Sequence, residues 1–122
     1  MITVKGIDHV CLWVRSLSEA KDYYERVFNF DCFYRDTEQD TLIVESNTVH
    51  FFLNEEDQDT QLLSKQHISF KVDSLDQIID SLKKLGITQY TTGSVNCFKH
   101  ENYRWCEWRD PSGIRLECIE VV

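Results

Sequence analysis

No apolar run in this 122-residue chain approaches the ~18 residues that a membrane-crossing helix needs. The opening segment MITVKGIDHV also lacks the apolar centre of a secretory leader. Together these absences predict a soluble, cytoplasmic protein. Positive charge is scarce too: 13 Lys and Arg stand against 21 Asp and Glu, a formal net charge of −8. Such a field repels the phosphates of nucleic acid and anionic lipid, and no local basic patch interrupts it, so a small molecule or another protein is the expected partner. The five cysteines, Cys11, Cys32, Cys97, Cys106 and Cys118, are odd in number and form no C-x-x-C pair. That argues against a disulfide framework and against a cysteine zinc site, and leaves reduced, structural thiols.

What is present is a repeat. The stretch QHISFKVDSLDQIIDSLKK (66–84), moved back by 58 positions, lies on DHVCLWVRSLSEAKDYYER (8–26): His67 falls on His9, Val72 on Val14, Ser74 on Ser16, Leu75 on Leu17 and Asp80 on Asp22. In IDHVCLWV one alternate set is His9, Cys11, Trp13 and the other Val10, Leu12, Val14; in QHISFKV the sets are His67, Ser69, Lys71 and Ile68, Phe70, Val72. Period-two alternation with β-branched and aromatic residues predicts strands, each with one apolar face for a helix and one face that carries a histidine. Ser16 with Glu19, and Ser74 with Gln77, are capping boxes at equivalent places. Helices follow, with Ala20, Tyr24, Val27 and Phe28 in the first and Ile78, Ile79, Leu82 and Leu85 in the second at 3–4 residue spacing. Gly86 closes the second.

Three strands are expected after each helix: FDCFYRD, TLIVES and TVHFFLNE in the first half, ITQYTTG, YRWCEWR and GIRLECIEVV in the second. Asp110, Pro111, Ser112 and Gly113 spell a type I turn before the last strand. The acidic segment EEDQDTQLLSK reads as a solvated linker. The chain is therefore expected to be one α+β domain of two tandem βαβββ units, half 1 about 5–55, linker about 55–65 and half 2 about 66–122. Their sheets should form a cup rich in antiparallel pairing, completed in a homodimer.

With the opposite faces committed to helices, His9 and His67 should point into the cup. The last strands add two candidates by alternation, His50 in the first half and Glu117 in the second. Three imidazoles and one carboxylate suit one divalent ion such as zinc, iron, nickel, cobalt or manganese, and positions left open would make it catalytic. A carboxylate enclosed in the cup needs a cation or a donor in any case. Glu107 either faces the cup as a base or pairs with Arg109 or Arg115. His100 reads as a surface loop residue, and Trp13 and Phe52 as core or as pocket wall.

The segments GIDHVCLWVRSLSEAKDYYERVFNF, VHFFLNEE, QHISFKV and DPSGIRLECIE resemble the vicinal oxygen chelate superfamily, which includes glyoxalase I, fosfomycin- and bleomycin-resistance proteins and extradiol dioxygenases. The resemblance implies paired βαβββ units around a divalent metal, often exchanged between the chains of a homodimer, with ligands His9, His67 and Glu117. It implies glyoxalase-like lyase or isomerase chemistry on a small substrate with vicinal oxygens, with Glu117 or Glu107 moving the proton. His50 stands near the position of a fourth ligand in glyoxalase I. Asn54 matches an asparagine that contacts glutathione there, while Trp13 replaces the arginine that grips its carboxylate. The phosphonate and potassium ligands and the tyrosine of the fosfomycin branch fall on Cys97, Glu101, Trp105 and Glu107, which speaks against that substrate. Trp13, Phe52, Asn54, Trp105 and Arg115 are the expected substrate contacts. The competing expectations are a bleomycin-type binding protein without catalysis, supported by the negative charge with Trp13, Phe52, Trp105 and Trp108, and an iron-dependent dioxygenase on the same three ligands.

Overall fold

The computed structural model describes residues 1–96 and 101–122. Cys97 and His100 lie outside the described residues. The chain divides into two compact units, 1–63 and 64–122.

Unit 1 runs β1 (Cys11–Val14), α1 (Leu17–Phe28), β2 (Asp31–Tyr34), β3 (Thr41–Glu45) and β4 (His50–Glu55). Its sheet has the order β1-β4-β3-β2, with β1 parallel to β4 and the other pairs antiparallel. Unit 2 repeats the plan with β5 (His67–Lys71), α3 (Leu75–Lys84), β6 (Thr91–Val95), β7 (Tyr103–Arg109) and β8 (Arg115–Val121), in the order β5-β8-β7-β6. The α+β class and the two βαβββ units are as the alternation and capping signals predict.

The reasons are local. Ser16 Oγ accepts from Glu19 N and Ser74 Oγ from Gln77 N, both at 3.3 Å, so each serine satisfies an otherwise orphan helix donor. A carboxylate also reaches each helix from the last strand of its own unit: Leu17 N donates to Glu55 Oε1 at 3.0 Å and Leu75 N to Glu120 Oε1 at 2.8 Å. Negative charge at the positive end of the helix dipole is favourable. Gly86, with φ +78°, ends α3 in a Schellman turn, where Ile87 N bonds Leu82 O and Gly86 N bonds Lys83 O. Asn29, with φ 57°, does the same work for α1. Asp110 holds the turn before β8, accepting at its carboxylate from Ser112 N and Ile114 N and at its carbonyl from Gly113 N.

Each helix covers one face of its sheet. In unit 1 the core is Val14, Leu17, Ala20, Tyr23, Tyr24, Leu42, Val44, Phe51 and Leu53; in unit 2 it includes Leu75, Leu82, Cys106, Trp108, Leu116 and Cys118. Trp108, expected to serve a binding groove, is instead core, because it alternates with Trp105 and Glu107 and so faces the helix. The four described cysteines are free thiols. Burial pushes Cys32 up to about 11 and Cys118 up to about 12, which keeps both protonated.

Three expectations shift. The strand expected from residue 7 starts at Cys11, leaving His9 just ahead of it: the ladder opens where Phe52 N bonds Val10 O, and Asp8 O takes the His50 side chain instead of a backbone donor. The strand expected at ITQYTTG begins four residues later and reaches Val95. The segment expected to be all linker folds in part as α2 (Thr60–Lys65), because Leu63 is apolar enough to bury and Asp59 Oδ1 accepts from Leu62 N.

Candidate functional site

The face of each sheet away from its helix carries the polar residues singled out above. In unit 1, strand register aligns Trp13 with Asn54 and Thr41, Cys11 with Phe52 and Ile43, and Ile43 with Phe33. His9 lies beyond the end of β1 with its ring stacked on Phe52, centroids 3.9 Å apart and planes 18° from parallel. Its Nδ1 meets Asp8 Oδ2 at 2.7 Å, and that bond holds the Asp8 carboxyl below its ordinary value. A carboxylate only accepts, so Nδ1 of His9 carries the proton and a neutral ring keeps its lone pair on Nε2. His50 repeats the pattern against a carbonyl: Nδ1 donates to Asp8 O at 3.1 Å, and the two rings are 6.2 Å apart. A ring whose Nδ1–H is held by a carboxylate or carbonyl is the arrangement found behind metal-binding histidines.

Asn54 is fixed on both sides. Its Oδ1 accepts from Thr41 Oγ1 and its Nδ2 donates to Cys11 Sγ, each at 2.7 Å. With Trp13, Arg35, Asp40 and Thr41 it borders an open cleft of about 590 Å³.

In unit 2, β5 and β8 set His67 beside Arg115 and Ser69 beside Glu117, while β7 sets Glu107 beside Glu117 and Trp105 beside Ile119. Glu117 is 9 % exposed, and its Oε1 lies 3.4 Å from His67 Nε2. Two donors that bind one ion at about 2.0–2.2 Å sit roughly 3.0–3.4 Å apart at neighbouring vertices. The pair therefore has the spacing of two ligands on one metal. Arg115 Nη2 contacts His67 Nδ1 at 2.6 Å, and Arg115 Nε is 3.4 Å from Glu107 Oε2. Glu107 thus pairs with Arg115, while Arg109 is committed to the carbonyls of Ser64 and Gly113. Arg115 and Glu107 line a cleft of about 550 Å³ with Tyr90, Thr91 and Arg109. Trp105 lies across Gly93, where a Cβ would stand 2.4 Å from the indole.

Among the described residues, no three His, Cys, Asp or Glu side chains meet as a ready metal-holding group. The donor chemistry nevertheless fits a divalent ion at the pair His67 and Glu117, and at His9 through its Nε2. The contact that does not fit is Arg115 on His67. Register also corrects one equivalence: Glu117 faces the second residue after His67, and the second residue after His9, Cys11, faces Phe52. Phe52 is therefore the counterpart of Glu117 in unit 1, and His50 the counterpart of Arg115. Glu55 and Glu120, capping the two helices, keep the same correspondence. The roles of Asp8, Glu55 and Glu120 were not read from the sequence. Glu55 and Glu120 carry one advance signal, the correspondence of the two last strands; Asp8 falls on Gln66 in the repeat and carries none.

The family model for the glyoxalase, bleomycin resistance protein and dioxygenase superfamily matches residues 6–118. The chain belongs to that superfamily. No curated protein matches it in sequence. Among solved structures, the vicinal oxygen chelate fold recurs in a virulence protein of Salmonella typhimurium, at 17 % identity, TM-score 0.78, covering 99 % of this chain and 100 % of that one. It recurs in a Bacillus anthracis protein assigned to the glyoxalase family, at 19 %, TM-score 0.74, covering 100 % and 99 %. It recurs again in the fosfomycin resistance protein FosX of Listeria monocytogenes, solved with Mn(II) and sulfate, at 18 %, TM-score 0.73, covering 98 % and 93 %. At these identities the likeness is one of fold. No helix of the described residues is long and apolar enough to cross a membrane.

Proposed function

We propose that this superfamily member is a divalent-metal-dependent, glyoxalase-like lyase or isomerase acting on a small substrate with vicinal oxygens. The observation that carries this reading is the 3.4 Å approach of His67 Nε2 to Glu117 Oε1 on adjacent strands. His9, His67 and Glu117 would hold the ion, with His50 as a fourth candidate beside His9. A bound ion would supply Lewis-acid stabilisation of the negative charge that develops on the substrate oxygens. Glu107 is the proton carrier at its Oε2, which Arg115 Nε holds in place at 3.4 Å. Glu117 is the alternative carrier. Trp13, Phe52, Asn54, Trp105 and Arg115 would orient substrate. A homodimer in the cytoplasm is the expected setting.

The test is turnover of a panel of hemithioacetals by the metal-loaded full chain and by Glu107→Gln. Turnover that falls about 100-fold or more in the variant, with metal content unchanged, supports the proposal. Turnover indifferent to Glu107→Gln and to Glu117→Gln contradicts it. One observation favours a second reading, a binding protein for a bulky cationic ligand: Trp13 and Phe33 are 40 % and 43 % exposed on unit 1 of an acidic chain. In that case ligand binding survives chelation. If ferrous iron is the resident ion, ring-opening dioxygenase activity on catechols is the corresponding test.

A further inference from the structure

We propose that Arg115 is a latch on His67, and that it must release before the ring can ligate a metal ion. This inference rests on the metal-site reading above. A guanidinium has donors only and stays charged, so the 2.6 Å contact from Arg115 Nη2 makes His67 Nδ1 an acceptor. The proton of the neutral ring then sits on Nε2, the nitrogen 3.4 Å from Glu117 Oε1. Metal ligation needs the Nε2 lone pair, which places the proton on Nδ1, head-on against the guanidinium. His9 and His50 are held in the opposite tautomer, each with Nδ1 donating. Of the three candidate histidines, His67 alone is turned away from metal binding.

The latch has a second seat. Arg115 Nε is buried without a hydrogen bond, and Glu107 Oε2 is 3.4 Å away. A guanidinium leaving His67 can close a charge-assisted pair with Glu107, in the cleft that both residues line. The tautomer exchange moves one proton from Nε2 to Nδ1 through water and changes no net charge. Metal binding and the Arg115 position are thereby linked, so that whatever holds the guanidinium on Glu107 tightens the metal, and the reverse.

The experiment pairs zinc calorimetry on the full chain and on Arg115→Met with long-range ¹H–¹⁵N correlation of the imidazoles, His67 being assigned with His67→Gln. The proposal expects His67 of the metal-free wild type to carry its proton on Nε2 and to exchange it to Nδ1 when Zn²⁺ is added. It also expects Arg115→Met to bind Zn²⁺ at least tenfold tighter. A metal-free wild type with the proton on Nδ1 overturns the latch even if the variant binds tighter, since removal of a positive charge alone then explains the gain. Equal zinc affinity in the two proteins overturns the latch and leaves the metal site standing. No zinc binding by either overturns both.

Discussion

Asp8 is a surface residue whose carboxylate holds the His9 ring, so its removal separates ring orientation from packing. Asp8→Ala keeps the carbonyl that accepts from His50 and loses the carboxylate that fixes Nδ1–H of His9. Metal affinity is expected to fall about 10- to 100-fold with little change in melting temperature. Calorimetry beside thermal unfolding checks this, and unchanged affinity would remove His9 from the ligand set. The thiols give an independent check on burial. Burial pushes Cys32 up to about 11 and Cys118 up to about 12; it raises the Cys11 thiol too, but Cys11 is exposed where Cys118 is buried. At pH 8 a thiol reagent should therefore label Cys11 before Cys118, which reacts only on unfolding. Because the folded state holds these protons more tightly, their contribution is complete below the ordinary thiol value near 9 and is lost as pH rises toward 12. Alternation places His67 and Glu117 on adjacent strands, where they lie, whereas His9 falls ahead of β1 and its face is not set by strand alternation. Asp8 and Arg115 were not legible in their roles, since each acts through a side-chain hydrogen bond that no spacing encodes.

The repeated strand, serine cap and helix were legible because capping and periodicity are local. Ser74→Ala is expected to cost about 1 kcal/mol in urea unfolding, with Glu120 still accepting from Leu75 N; a cost near zero would mean that Glu120 carries the cap alone. The start of β6 was missed because its limits come from pairing with β7, in which Gly93 faces Trp105. A methyl at Gly93 would stand 2.4 Å from the indole, so Gly93→Ala should lose about 1–3 kcal/mol and change the tryptophan fluorescence. A variant as stable as the wild type, with unaltered fluorescence, would show that Trp105 does not rest there. The helix α2 was hidden by its acidic surroundings, which read as solvated chain although Leu63 is buried.

At the scale of the molecule, the two βαβββ units share one plan and differ in what they place on the open face. Phe52 stands where Glu117 stands, so these paired positions offer one carboxylate, not two. Local sequence signals give the fold class but not this difference, which depends on how the last strand of each unit registers with the first. Glu117 is 9 % exposed beside a histidine, and a cation is the partner that such a carboxylate calls for. Elemental analysis of the untagged full chain, beside His67→Ala, tests this most directly. His67 is partly exposed and contributes no apolar core, so the variant should remain folded. The expected result is about one divalent ion per chain in the wild type and little in the variant. No bound metal after exposure to zinc, nickel, cobalt, manganese and ferrous iron, or equal metal in a folded His67→Ala, would contradict the proposed centre.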